Sequence, residues 1–404
     1  MEAVTATFPA EMDRQQRATL IAQTAAYFAA FVCLGLTIGL LGPSLPALAQ
    51  QAHAGLEAIS YLFTLRALGY VLGAVSSGKL FDRRPGNPLA AAMLLAMAVT
   101  TALVPLASHI SLLLAAMVVL GAAEAALDVG ANTLLVWVHG SRVAPFMNAM
   151  HAFFGVGALA APAIVAQVMF LNYPATHSYF VVALLLLPAA VFMLRLPSPH
   201  DGSTRVLERP ARINYRLVFL IALFLFLYVG AEVSFAGWIF TYTLELKLSS
   251  ATAAALLTSL FWGALTLGRM LTIPIATRFT TRSVLRFSLA GCLLSIGLIL
   301  LAPRSFASVL IATAGLGLSM ASIFPTTLSL AGETMRVTGR LTGWFVLGSS
   351  TGSMLIPLIV GQLFRPFGPQ VLMLLMIVTL LAAAGVLFVI GTSSAAAVKE
   401  EAGT

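Results

Sequence analysis

Five ionisable residues stand deep inside long apolar runs: Arg66, Glu124, Asp128, Glu232 and Arg269. At the centre of a membrane helix each such group costs about 2.5–3.5 kcal/mol, so each requires a partner or a function. Glu124, Asp128 and Asn132 recur every four residues. That spacing puts them on one helical face, each about 6 Å beyond the last. A polar stripe of this kind must face another helix or a wet cavity. Arg66 and Glu124 fall at similar depth in their runs, so an Arg66–Glu124 pair would neutralise both charges. Asp128 then has no basic residue at its level. A carboxylate taken out of water without a cation favours its neutral form, which makes Asp128 a candidate proton carrier or, with Asn132, a ligand for sodium or for sugar hydroxyls.

Further along, Tyr228 precedes Glu232 by one helical turn, and Trp238 and Tyr242 follow it. Aromatic faces beside a carboxylate suit a sugar ring, whose C–H face is apolar and whose hydroxyls need acceptors. A hydrogen bond between helices is the structural alternative for Glu232. Asn148 and His151 lie one turn apart. An imidazole titrates near neutral pH, so His151 joins Arg66, Glu124 and Asp128 as a candidate for coupling-ion chemistry, with a plain helix contact as its alternative. Substrate contacts are expected from Tyr27, Asn132, Asn148, Tyr228, Glu232 and Trp238. Gln23, Tyr27, Thr37, Ser349, Ser350 and Thr351 line a polar route or pack helices together, a role that favours small and hydroxyl side chains. Arg269 lies toward the end of its run and is expected to snorkel to the interface.

The elements that must position these groups are membrane helices. Of 404 residues 60% are hydrophobic and only 9% charged, against about 25% charged in an average soluble domain. Mean hydropathy is +0.98. These values exclude a water-soluble globular enzyme, a disordered protein and a nucleic-acid-binding module. Two cysteines exclude a disulfide scaffold, and Cys33 and Cys292 read as small core residues. Neither a His-rich metal set nor a Ser/His/Asp constellation nor a phosphate-binding loop is present, so no enzyme activity, nucleotide-driven pump or cofactor is expected beyond a coupling ion.

Twelve runs are long enough to cross the hydrocarbon: 19–46, 55–78, 88–107, 111–137, 144–170, 177–195, 216–243, 250–277, 283–302, 306–331, 341–364 and 369–391. They are continuously apolar rather than alternating, which selects helices over strands. If the N-terminus is cytoplasmic, seventeen of the 22 Lys and Arg lie on that side, three (Lys247, Arg304 and Arg365) lie opposite, and two fall within spans. This bias predicts that both termini are cytoplasmic; a monomer embedded in the lipid bilayer of the inner membrane is the expectation.

A shift of 195 residues aligns the two halves. Gly35 falls on Gly230, Gly42 on Gly237, Gly73 on Gly268 and Arg83 on Arg278. Residues 157–167 and 352–362 share Gly157/Gly352, Pro162/Pro357, Ile164/Ile359, Val165/Val360 and Gln167/Gln362. The chain thus reads as an N-terminal six-helix bundle (1–195), a polar cytoplasmic linker (196–214) and a C-terminal six-helix bundle (215–404). Arg66, Glu124, Asp128, Asn148 and His151 fall on Phe261, Ser319, Ile323, Gly343 and Val346, so scaffold positions are shared while the ionisable chemistry is concentrated in the first half. Two parallel repeats of six spans form a known transporter architecture, with the site between the halves near the midplane.

On these grounds the sequence resembles the major facilitator superfamily over nearly its whole length. Its best local sign is the loop Gly78-Lys79-Leu80-Phe81-Asp82-Arg83-Arg84-Pro85-Gly86 between spans 2 and 3. The resemblance implies an all-α membrane fold of two pseudo-symmetric bundles. It also implies that Gly78, Asp82 and Arg83 belong to a gating loop that latches the cytoplasmic side. One extra residue before Gly86, and Asn87-Pro88 in place of a basic pair, depart from the family pattern. Arg66-Ala67-Leu68-Gly69-Tyr70, Leu127-Asp128-Val129-Gly130-Ala131-Asn132-Thr133, Tyr228-Val229-Gly230-Ala231-Glu232-Val233 and Gly237-Trp238 are similar to a sugar-transporting branch that includes sodium-dependent glucose transporter-like proteins and fucose permease-type symporters. Drug/proton antiporters of the superfamily carry an Arg in span 4 and a Gly-Pro motif in span 5; Met117 and Ala161-Pro162-Ala163 stand here instead. The expectation is a secondary transporter that moves a small polar solute, a sugar, by proton- or sodium-coupled alternating access. The competing expectation is a proton-coupled multidrug or metabolite exporter.

Overall fold

A computed structural model describes residues 14–81, 83–199, 214–276, 278–335 and 339–402. The described chain is helical, and twelve spans are long and apolar enough to cross a membrane: span 1 (Arg14–Gln51), 2 (Leu56–Gly78), 3 (Gly86–Leu106), 4 (Ile110–His139), 5 (Val143–Phe170), 6 (Ala175–Leu194), 7 (Tyr215–Glu245), 8 (Ala251–Thr272), 9 (Thr281–Leu301), 10 (Phe306–Thr334), 11 (Leu341–Phe367) and 12 (Val371–Thr392). Each overlaps its expected apolar run. Span 1 is longer than its run at both ends. It gains an exposed polar turn at Arg14 and continues through Pro43 and Pro46. Successive spans alternate in direction, so we call the face where Arg14 begins span 1 the near face and the opposite one the far face.

Glycines set how closely the helices approach. Gly35 of span 1 and Gly157 of span 5 lie on each other's backbones, where a Cβ would strike Phe154 and Val32 carbonyl oxygens. Their partners at the 195-residue shift, Gly230 of span 7 and Gly352 of span 11, meet in the same way, with Gly352 against the Phe226 carbonyl. Spans 1 and 5 therefore pack as spans 7 and 11 do. The same correspondence holds between spans 2 and 4, through Gly69, Gly73 and Gly121, and spans 8 and 10, through Gly268 and Gly317. The result is two helical bundles with matching internal contacts.

The bundles meet mainly toward the far face. Gln362 of span 11 donates to the Glu57 carbonyl (2.8 Å) and Ser60 (3.2 Å) of span 2, and Thr64 donates to the Met354 carbonyl at 3.1 Å. The Phe63 and Trp238 rings lie 6.2 Å apart across the same seam, and Gly42 packs on Gly237. In mid-membrane Phe154 of span 5 meets Trp262 of span 8, and Gly155 accommodates Thr266. The hydrogen bonds and ring contacts described between the bundles thus lie toward the far face and in mid-membrane.

Candidate functional site

The close contact of spans 2 and 4 delivers the first cluster. Gly121 lies directly against the Arg66 carbonyl, which leaves the two side chains of that turn facing each other. Arg66 grips Glu124 with both arms of its guanidinium, Nε to Oε2 at 2.9 Å and Nη2 to Oε1. Thr37 of span 1 donates to Oε1 at 2.7 Å. Glu124 is 1% exposed and Arg66 11%. The pair is thus neutralised and bonded on every side, as a buried ion pair must be to persist. Thr37, a candidate for a polar route, spends its hydroxyl here. Tyr179 of span 6 bonds Ser44 at 2.9 Å close to the same pair.

One turn toward the near face the environment changes. The Asp128 carboxylate accepts the Tyr70 hydroxyl from span 2 on Oδ2 and the Asn132 amide at 2.8 Å on Oδ1. Asn132 also caps the Asp128 carbonyl at 2.9 Å. No cation pairs with Asp128 among the described residues. Its side chain is half-buried. Tyr70 holds it from a neighbouring helix, a role that neither charge nor spacing along span 4 signalled.

The second bundle holds its own carboxylate. Glu232 accepts the hydroxyl of Tyr228, and the same hydroxyl lies 3.0 Å from the Met320 carbonyl of span 10. Arg269 lies near the near-face end of span 8 in the same bundle. It is half-buried, and its charge acts on Glu232, Tyr228 and, across the seam, His151. The geometry explains this reach. Gly155 and Thr266 touch across spans 5 and 8, and His151 and Arg269 each lie about one turn nearer the near face on the facing ridges. His151 is exposed on that side, with Phe31 edge-on at 5.1 Å, and Asn148 is exposed one turn further out. The helix position of Arg269 suggested its depth correctly but not its partners, which depend on how spans 5, 7 and 8 pack.

Other expected residues lie elsewhere. Tyr27 is fully buried in the near half of span 1 and donates to Asn87 at 2.9 Å. Asn87 and Gln23 in turn donate to the Pro197 carbonyl just beyond span 6. Trp238 is fully buried in the far closure, where its indole donates to the Pro357 carbonyl at 3.1 Å and its ring stacks on Phe364. Neither meets the carboxylates. Gly78 stands in open space at the near end of span 2, and Arg83 is exposed in the turn that follows. Asp82 lies outside the described residues. No group of three or more His, Cys, Asp or Glu able to hold a metal occurs among the described residues.

Comparison with known proteins follows this geometry. The family model of the Major Facilitator Superfamily matches residues 27–357. Sodium-dependent glucose transporter 1A of Mus musculus is 29% identical over 377 residues, covering 83% of this chain and 88% of that protein. Sodium-dependent glucose transporter 1 of Xenopus laevis is 31% identical over 358 residues, covering 81% and 73%. Among solved structures, a bacterial homolog of the human lysosomal transporter Spinster, in an inward-facing and occupied conformation, shares the fold with a TM-score of 0.76 at 13% identity, over 94% of this chain and 98% of that one.

Proposed function

The chain belongs to the major facilitator superfamily, and on that premise we propose that the small solute it moves by alternating access is a sugar, driven by a proton or sodium gradient. The observation that carries the coupling is Asp128. It is an intramembrane carboxylate held only by neutral donors, one turn from an ion pair that is already complete. Loading a proton or sodium ion there neutralises the carboxylate and favours solute binding between the bundles. Closure of the near side and opening of the far side then exchange the solute, and loss of the ion restores the charge. The relatives named as glucose transporters support the sugar. Glu232 and Tyr228 are suited to its hydroxyls, with Asn132, Asn148 and His151 on the facing bundle.

The excess of basic residues assigns the near face to the cytoplasm of an inner-membrane protein. The chain then divides at 196–214 into two six-helix bundles, the linker lying mostly outside the described residues. The test is uptake in proteoliposomes under separately imposed proton and sodium gradients, with a panel of labelled sugars beginning with glucose. Asp128→Asn is expected to abolish gradient-driven accumulation and to spare counterflow exchange. Driven uptake unchanged in that variant would remove Asp128 from the coupling.

A further inference from the structure

The hydroxyl of Tyr228 has more acceptors than protons. It sits against the Glu232 carboxylate and, at 3.0 Å, against the Met320 carbonyl. A phenol donates one proton and can accept another. With Glu232 ionised, that proton points to the carboxylate and Met320 goes without it. With Glu232 protonated, the acid O–H donates to the Tyr228 oxygen and Tyr228 donates onward to the Met320 carbonyl.

Met320 occupies a special place. Span 10 consists of two helices, Phe306–Met320 and Ile323–Thr334, with Ala321 and Ser322 in the turn between them. Pro325 accounts for the interruption, because it has no N–H to donate to the Ala321 carbonyl and its ring crowds that carbonyl. Span 4, the counterpart at the 195-residue shift, is continuous and carries Gly130 where Pro325 stands. The break is packed on both flanks: Ser322 bonds Ser288 of span 9 at 2.7 Å, and Gly268 of span 8 lies against Ala321. A carbonyl at such a break has less claim on it from the helix and is free to answer a side chain.

We propose that Glu232, Tyr228 and the Met320 carbonyl form a second proton site, in which protonation of Glu232 moves the Tyr228 hydrogen bond from the carboxylate to the break in span 10. This deepens the transport reading and rests on it. One proton binds an oxygen of Glu232, whose side chain is half-buried, and later leaves it; only hydrogen bonds are exchanged. The groups that face Glu232 are Tyr228 on its own helix, Arg269 of span 8 and Cys292 of span 9. Spans 1, 10, 11 and 12 also pack on span 7 but bring no charged side chain to Glu232 among the described residues, and His151 of span 5 faces Arg269. Proton arrival therefore uncovers the Arg269 charge toward the other bundle and, in the same step, adds a bond at the span 10 break.

Infrared titration of the full chain reconstituted in lipid tests this without knowledge of the solute. The wild type is expected to show a protonated-carboxyl band that appears on acidification and is missing in Glu232→Gln but retained in Asp128→Asn. In Tyr228→Phe the Glu232 band is expected to persist with a changed frequency and a midpoint displaced by roughly half a pH unit or more. Glu232→Gln spectra superimposable on the wild type would overturn the site, and a Glu232 band indifferent to Tyr228→Phe would overturn the switch. Either failure leaves the Asp128 uptake result intact, so the two readings stand or fall separately. Should Glu232→Gln not fold, Tyr228→Phe alone decides the switch.

Discussion

The two bundles each hold a carboxylate that accepts a tyrosine hydroxyl, and they hold it differently. Asp128 sits on an unbroken helix, is bonded by Tyr70 from span 2 and by its own neighbour Asn132, and has no cation beside it among the described residues. Glu232 is bonded by a tyrosine of its own helix, has Arg269 within electrostatic reach, and shares its tyrosine with a carbonyl at a helix break. The first carboxylate stands on a continuous helix, and in the proposed transport cycle a change in its charge would alter what can bind. The second is tied through Tyr228 to a helix break, and in the proposed switch a change in its charge would alter shape. The two halves share the glycine contacts that stack their helices, and within that common frame they hold their carboxylates differently.

The sharpest way to break the comparison is through the arginines. Arg66 and Glu124 neutralise each other in a buried setting, and removing either leaves a lone buried charge. Arg66→Ala or Glu124→Ala is expected to cost about 3–5 kcal/mol, seen as a collapse of the thermal melting temperature in detergent, and the double substitution should recover part of the loss. Arg269→Ala removes a half-buried charge that makes no direct ion pair among the described residues, and about 1 kcal/mol or less is expected. Equal losses at Arg66 and Arg269 would end the distinction between a structural and an electrostatic arginine.

The glycine contacts test the opposite claim, that the scaffolds are equivalent. Gly157→Ala and Gly352→Ala each place a methyl against a backbone carbonyl of the facing helix. Each is expected to destabilise by about 1–3 kcal/mol, with similar changes in melting temperature. A large loss at one and none at the other would show that the halves no longer share their packing.

These contrasts also mark what was legible in the sequence. The twelve spans were readable because apolar length is a strong signal in a chain with so few charges. The Arg66–Glu124 pair was readable because depth along two helices can be counted from their ends. Tyr70, Met320 and the reach of Arg269 were not, since each depends on which helix lies alongside and which way it is turned. Trp238 and Tyr27 carried the chemistry of a sugar contact, yet one closes the far seam and the other anchors the end of span 6. Residue type told what they can bond, and packing decided what they do bond. Pro325 stands at the break in span 10 while prolines 43 and 46 lie inside a continuous span 1; only the fold shows which proline breaks its helix.

Between the carboxylates themselves, Tyr70→Phe removes a single neutral donor from Asp128. A loss of about 1 kcal/mol in holding the ionised form is expected. It would appear as a severalfold change in the ion concentration that half-saturates driven uptake in proteoliposomes, with the maximal rate little altered. Tyr228→Phe should show the reverse balance if Glu232 works through shape, a slower maximal rate with a smaller change in half-saturation.

The smallest effect concerns the far seam between the bundles. Trp238→Phe keeps the ring among Phe63 and Phe364 but deletes the indole N–H that the Pro357 carbonyl accepts. A net hydrogen bond is worth about 0.5–1.5 kcal/mol, and since the same indole stiffens spans 7 and 11 at the far closure, part of that loss should favour the far-open arrangement. A Thr64→Cys probe, placed where span 2 bonds the Met354 carbonyl, is expected to react a few times faster with an impermeant maleimide from the far side when combined with Trp238→Phe. An unchanged rate would mean that the seam is held by the packing of Gly42 on Gly237 and of Gly361 on Ser60, and that the indole bond serves only the interior of the second bundle.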